Sequence, residues 1–393
     1  FRYSGQIFEV VARAMRENER IPIIFYGKLP PPLTGMTIAN KQILSFLSEQ
    51  TEVHIVNYSQ GALRPSGVSV IFYNIRQLGL AIKKNRELRR LIRQKGKKRL
   101  YFVGSPSFFG NLLDIYRTRS VVGSDCEVFM HLHTGNWIDN LHSFRLFGGG
   151  KTMLKRVHHI LALSEGLKDQ FKGVFLEDRI QVVPNTIASE MLCSSDEVEA
   201  KMQRTNKRKT VLYLSNFIPS KGYALLIEAL EQMEARQPDT NFFLRMIGAF
   251  PSENAKEEVQ KRVAQSRIQA KIDLIGPLRD RSRVREIFMD ADIFCLPTYY
   301  PQEAQPLVLL EAMNAACAIV ASRHASIPEF IDHERNGLLV EKKNTEELSH
   351  ALEELIMNDD SMISLARAAR KTFSERFSEE AQELKLREVF GLG

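Results

Sequence analysis

Twelve short apolar runs, rich in branched and aromatic residues, recur along the chain, and stretches of helical period separate most of them. The first six cover 21–27, 53–59, 99–105, 126–133, 158–164 and 180–185. The second six cover 210–216, 241–249, 271–276, 291–298, 318–322 and 337–341. Runs that stay apolar instead of alternating mark strands buried on both faces, and such strands interleaved with helices form parallel sheets. Two sets of six imply an α/β chain of two doubly wound, Rossmann-like domains facing a cleft. The length of 393 residues agrees, since it exceeds what one hydrophobic core usually covers.

The expected boundaries follow from composition. Residues 1–20 read as a short amphipathic helix extension, because Arg13 and Arg16 break its apolar face before a secretory signal can form. Residues 21–193 make the first domain, and the polar, charged stretch 194–209 reads as a linker. Residues 210–372 make the second domain, and 373–393 a C-terminal helix free to cover a remaining apolar face. No run of about 18 apolar residues predicts a membrane span. The four cysteines lie far apart without a C-x-x-C pair, which disfavours a disulfide framework or zinc site and fits a reducing cytoplasm.

Doubly wound sheets take ligands outside the carboxyl ends of their strands, so residues just after strands are the informative ones. The stretch "PQEAQPLVLLEAMNAACAIVAS" leaves one strand and ends in another, and carries Glu303 and Glu311 with seven residues between them. Pro306 suits the first turn of a helix expected to run to about Ala316, where its missing N–H is not needed. The free N–H groups around Leu307 and Val308 then form an anion site, with Glu303 ahead of it and Glu311 inside the helix. Phosphates at the helix start would place hydroxylated groups against both carboxylates. Surface glutamates or helix-dipole partners fit the spacing equally well.

These residues, with "PPPLTGM", "HTG", "ILALSEGL", "VVPNTI", "LSNFIPSKG", "LIGPL" and "IPEFIDHERNGLLV" in order, resemble the E-x7-E signature and companion motifs of the retaining GT-B glycosyltransferases of family 4. The resemblance runs from Ile21 onward. It implies a hexosyltransferase that moves a sugar from a UDP- or GDP-sugar to a glycan or lipid-linked acceptor hydroxyl, with no cofactor and no metal. The first domain would bind the acceptor and the second the donor. His133, Lys221 and Glu303 would be catalytic. Gly35, in a loop after its strand, and Asn185, Asn216, Lys221, Gly276, Glu303, Pro306, Leu307, Val308 and Glu311 would bind the donor, with 275–278 flanking the base. Read without the family, Lys221 also fits a solvated turn lysine and His133 a strand-end histidine. The chain departs from the family at Asn216, where arginine is usual. Ala304, Ala316 and Ala318 stand where Gly, Gly and Pro are favoured, and Ala325–Ser326 replaces Gly–Gly.

Three other patterns compete. "FGGGKT" at 147–152 lacks the first P-loop glycine and reads as a flexible loop near the acceptor side. "DAD" at 290–292 falls between a helix and a buried strand, where capping and turn roles are expected. The run 83–99 holds ten basic residues and one acid, a local excess above the net charge of +7. A solvated helix face accounts for such a run equally well; on the functional reading Lys83, Arg86, Arg89, Arg90 and Arg93 would face an anionic membrane surface or the acceptor, making the protein cytoplasmic with peripheral attachment. The alternative is a nucleic-acid-binding α/β protein; the run lacks interleaved aromatics, so no nucleic-acid partner is expected. A nicotinamide oxidoreductase lacks its G-x-G-x-x-G after either first strand.

Overall fold

The computed structural model describes residues 21–31, 34–59, 69–105, 107–135, 137–143, 147–204, 208–238 and 240–392. The expected extension helix at 1–20 lies outside them. All twelve expected strands form, as two six-stranded sheets. The first holds β1 (Ile23–Gly27), β2 (Val53–Asn57), β3 (Lys98–Gly104), β4 (Cys126–Leu132), β5 (His159–Ala162) and β6 (Ile180–Val182), in the order β2-β1-β3-β4-β5-β6. The second holds β7 (Lys209–Leu214), β8 (Phe242–Ile247), β9 (Ile272–Ile275), β10 (Ile293–Leu296), β11 (Ala318–Ser322) and β12 (Leu338–Val340), in the order β12-β11-β10-β7-β8-β9. Every pairing is parallel. In each sheet the winding reverses once, between β1 and β3 and between β7 and β10, and such reversals open a crevice at the carboxyl ends.

The chain divides into two compact units, 1–185 with 380–393, and 186–379. The expected linker at 194–209 is corrected here. It contains the helix Ser195–Met202, begun by a capping box of Ser194 and Glu197. This helix docks within the second unit through Lys201, whose buried ammonium donates to the carbonyls of Phe288 at 3.0 Å and Ala315 at 2.6 Å. A composition reading sees only charge in this stretch; the buried lysine stem and its carbonyl acceptors are tertiary.

The tail at 373–393 divides as well. The helix Asp359–Arg376 stays with the second unit, while Glu379–Phe390 belongs almost wholly to the first. There Leu386, Phe390 and Leu392 join a core built from Phe25, Tyr101, Phe129 and Val183. Phe129 and Phe390 stack with ring centroids 4.4 Å apart.

The segment 147–152 is also corrected. It belongs to the helix Phe147–Leu154, not to a loop. A Cβ on Gly149 would stand 2.9 Å from Ile115 and one on Gly150 2.4 Å from Leu141. These glycines therefore permit close helix packing. "DAD" has a structural part other than the capping or turn role expected: Asp292 accepts the Thr210 N–H at 2.8 Å and links the amino ends of β7 and β10.

Candidate active site

The second unit assembles its site at the β7/β10 reversal. The chain leaves β7 through Asn216 and turns at Pro219–Lys221 into Gly222, whose φ is +82°. A Cβ there would lie 2.1 Å from the Pro297 carbonyl oxygen at the end of β10. Only glycine allows both the left-handed backbone and this approach. The approach sets Lys221 against the loop that follows β10. Its ammonium meets Glu303 Oε2 at 2.6 Å and lies 4.7 Å from the centre of the Tyr300 ring.

That loop is fastened from both sides. Tyr299 N donates to the Ser220 carbonyl at 2.8 Å, and the Thr298 hydroxyl donates to Glu303 Oε2 at 3.1 Å. The ring of His324, after β11, donates to the Tyr300 carbonyl at 2.8 Å, and Ser326 donates to the Ala304 carbonyl. Glu303 is thus held by a cation and a hydroxyl, its carboxylate aligned before any ligand arrives.

The helix Leu307–Asn314 starts with Pro306 at its N-cap, one residue earlier than the first turn, and no side chain caps it. Its first N–H groups, at Leu307 and Val308, have no intrahelical acceptor by construction. The helix ends at Asn314, short of Ala316, because Ala316 has a φ of +48°. Ala325 likewise has a φ of +50°. Both are positions where the resembling family favours glycine, and the backbone shows why.

Glu311 is buried on this helix and pairs with Arg281, the first residue of the helix Arg281–Asp290. Burial raises its carboxyl pKa above the usual range while Arg281 opposes the shift. Its Oε2 has no hydrogen-bond partner among the described residues. Gly276 follows β9 in open space, where an added Cβ would meet nothing within 4 Å, on the connection that leads to Arg281. Arg281, Thr298 and Tyr300 escaped the sequence reading. Arg281 and Tyr300 meet Glu311 and Lys221 only through tertiary contacts, and Thr298 meets Glu303 across an irregular loop, so nothing in their spacing marks them.

In the first unit, Gly35, His133 and Asn185 also follow strands. Gly35 is not in a loop, as the sequence implied. It opens the helix Gly35–Gln50, behind Thr34, which caps the helix together with Thr37. His133 ends a file along the sheet: Tyr101 bonds His131 at 2.8 Å, and the rings of His131 and His133 lie 4.3 Å apart. Burial pushes the His133 imidazole down to about 4, so it is neutral near pH 7. Its Nε2 has no partner among the described residues. Asn185 is buried at the end of this unit. Among the described residues no three His, Cys, Asp or Glu side chains gather where a metal could be held.

Residues 194–372 match the family Glycosyl transferases group 1. The alpha-maltose-1-phosphate synthase of Mycolicibacterium smegmatis is 27% identical over 63% of this chain and 69% of its own length. The putative colanic acid biosynthesis glycosyltransferase WcaL of Salmonella typhimurium is 27% identical over 44% of this chain and 42% of its own. Residues 194–372 resemble a group 1 glycosyltransferase, and the fold of the chain is GT-B. The fold is that of Anabaena HepE solved in complex with UDP, with a TM-score of 0.70 at 15% identity, covering 94% of this chain and all of that one. The family match encloses Lys221, Glu303, Arg281 and Glu311 together.

Proposed function

We propose that the chain is a retaining hexosyltransferase that takes a sugar from a UDP- or GDP-sugar and places it on a hydroxyl of a glycan or lipid-linked acceptor. The observation that carries this reading is the Lys221–Glu303 contact at the β7/β10 reversal, beside the uncapped start of the helix Leu307–Asn314. Lys221 supplies a positive charge where a leaving diphosphate develops negative charge, and the helix N–H groups add oriented donors. Glu303 holds sugar hydroxyls. Glu311 Oε2, left without a partner, accepts from the ribose. Asn216 and Gly276 line the remainder of the donor site, and Gly35 and Asn185 keep the donor-binding part that the family resemblance assigns them. UDP in the HepE structure and the colanic acid role in the WcaL name support a nucleotide-sugar donor and a glycan product.

In the step itself the anomeric C–O bond to the diphosphate breaks and its electron pair leaves with the phosphate oxygen. The acceptor oxygen bonds to the same carbon on the same face, and its proton passes to the departing phosphate. The residues named do this without a metal or cofactor. Neutral His133 positions the transferred sugar. Lys83, Arg86, Arg89, Arg90 and Arg93 dock the protein, peripherally and from the cytoplasmic side, on an anionic membrane. No helix among the described residues is long and apolar enough to cross a membrane.

A donor screen read by product mass tests this reading, with hydrolysis controls in chelator. A product carrying one hexose from a single nucleotide sugar is expected, with the donor's anomeric configuration. Activity absent in chelator and restored by magnesium overturns the metal-free mechanism, and an inverted product overturns retention.

A further inference from the structure

We infer that the first unit holds a second anion site, built to take a phosphate-bearing ligand, at the end of its sheet opposite His133. A cavity of about 640 Å³ lies there, lined by Arg89, Arg93 and Arg119 among others, with Asp125 the sole acid among its described lining residues. Its walls are the end of the helix Ser69–Ile92, the turn before β3, the short helix Arg119–Val121 and the loop before β4. These are the amino ends of β3 and β4. Each strand is seven residues long, so at about 3.3 Å per residue the carboxyl edge is roughly 20 Å away. The cavity is therefore separate from anything His133 contacts, and the inference goes beyond the transfer reaction.

Two observations show that this basic concavity is built and not merely a charged surface. Lys98 is buried, and its ammonium donates to the carbonyls of Gln94 at 2.7 Å, Lys95 at 3.1 Å and Gly96 at 3.2 Å. It pins the rim while its own charge is spent on main-chain oxygens. Arg89 is oriented without an acid: its Nε donates to the Ser120 hydroxyl at 3.1 Å and its guanidinium lies 4.8 Å from the centre of the Tyr116 ring. The terminal nitrogens remain for a ligand.

Arg93 and Arg119 have no ion pair or hydrogen-bonded acid among the described residues. Most arginines in the second unit have one, as Arg236, Arg245 and Arg262 do. Three guanidinium groups facing one space repel each other unless an anion joins them, and phosphate oxygens match their forked geometry. A free phosphorylated metabolite and a phosphomonoester lipid headgroup share this chemistry.

Arginine modification by phenylglyoxal, mapped by peptide mass on the full chain, tests the site residue by residue. One arm adds inorganic pyrophosphate. The other adds phosphatidylcholine vesicles with or without phosphatidic acid. Selective protection of Arg93 and Arg119 by about fivefold, with Arg86 and Arg90 changed by less than about twofold, is the expected result in one arm, and that arm names the source. The Arg93→Gln/Arg119→Gln variant, checked for an unchanged melting curve, then loses the protection of Arg89. Equal protection of all five arginines, or protection of none, overturns the site. Equal protection by acidic vesicles alone leaves peripheral membrane docking standing without it. Because the readout sits on these arginines, pyrophosphate bound near Lys221 does not affect it.

Discussion

Each sheet reverses its winding once, and at each reversal the structure places an acid beside a base, yet the two pairs are built for different ends. At the β1/β3 reversal Asp114 meets Arg117 at 2.6 Å with side chains 1% and 4% exposed. Asp114 also accepts the Ser105 N–H, and the Arg117 guanidinium lies 3.9 Å from the centre of the Tyr26 ring. At the β7/β10 reversal Glu303 and Lys221 meet at the same 2.6 Å, but 8% and 15% exposed. The first pair is sealed among aromatic rings by its own helix. The second is less deeply buried, and the proposed reaction requires that a phosphate compete there for the ammonium. The same topology thus yields a sealed pair in one unit and a partly exposed pair in the other, and the proposed reaction needs the exposed one.

The sharpest way to break this comparison is Arg117→Ala. It strands a buried carboxylate and is expected to lower unfolding stability by about 3–5 kcal/mol, read from urea midpoints. A loss below about 1 kcal/mol would mean that water reaches Asp114 and the contrast is false.

Lys221→Ala should behave the other way. Turnover is expected to fall roughly a hundred- to thousandfold, as for loss of one donor to a developing anion. The change in stability should stay within about 1–2 kcal/mol. A variant that unfolds while its residual turnover is normal would make Lys221 a structural residue.

His133 gives a test by pH. The folded chain holds this imidazole down at about 4, against 6.5 when unperturbed, so between these values the unfolded chain binds the extra proton. Its contribution is therefore complete above pH 6.5 and is lost as pH falls toward 4. Urea midpoints taken across that window should drop less steeply for His133→Gln than for the parent. Identical slopes would place His133 in solvent.

The smallest effect comes from Ala316→Gly, at a φ of +48°. It should stabilise the second unit by roughly 1 kcal/mol in a thermal melt, since glycine alone is at ease there. The same substitution at Ala325 should add a similar amount.

Much of this was legible in the chain itself. All twelve strands were readable because a strand covered on both faces must be apolar throughout, and the helices Tyr223–Arg236 and Thr345–Met357 because their period is regular. Glu303, Glu311 and Lys221 were singled out because strand ends are where such sheets expose chemistry. Arg281 was not, since contact between residues 30 apart in sequence leaves no local pattern, and Thr298 was not, since a loop contact over five residues has no regular period. Gly35 and the glycines at 149–150 were read as loop formers because glycine permits both turns and tight packing, and only the neighbours decide which. The expected linker failed for the same reason: Lys201 is polar by type and buried by circumstance.

The return of the helix Glu379–Phe390 to the first unit bears on biosynthesis. The second unit is one unbroken segment and has all its residues once position 379 has left the ribosome. The first unit, though made earlier, waits for Leu386, Phe390 and Leu392 to close the hydrophobic space beside Phe25 and Phe129. The half translated first is completed after the second, and until the segment 380–393 emerges it keeps an unfilled apolar face of the kind that chaperones hold.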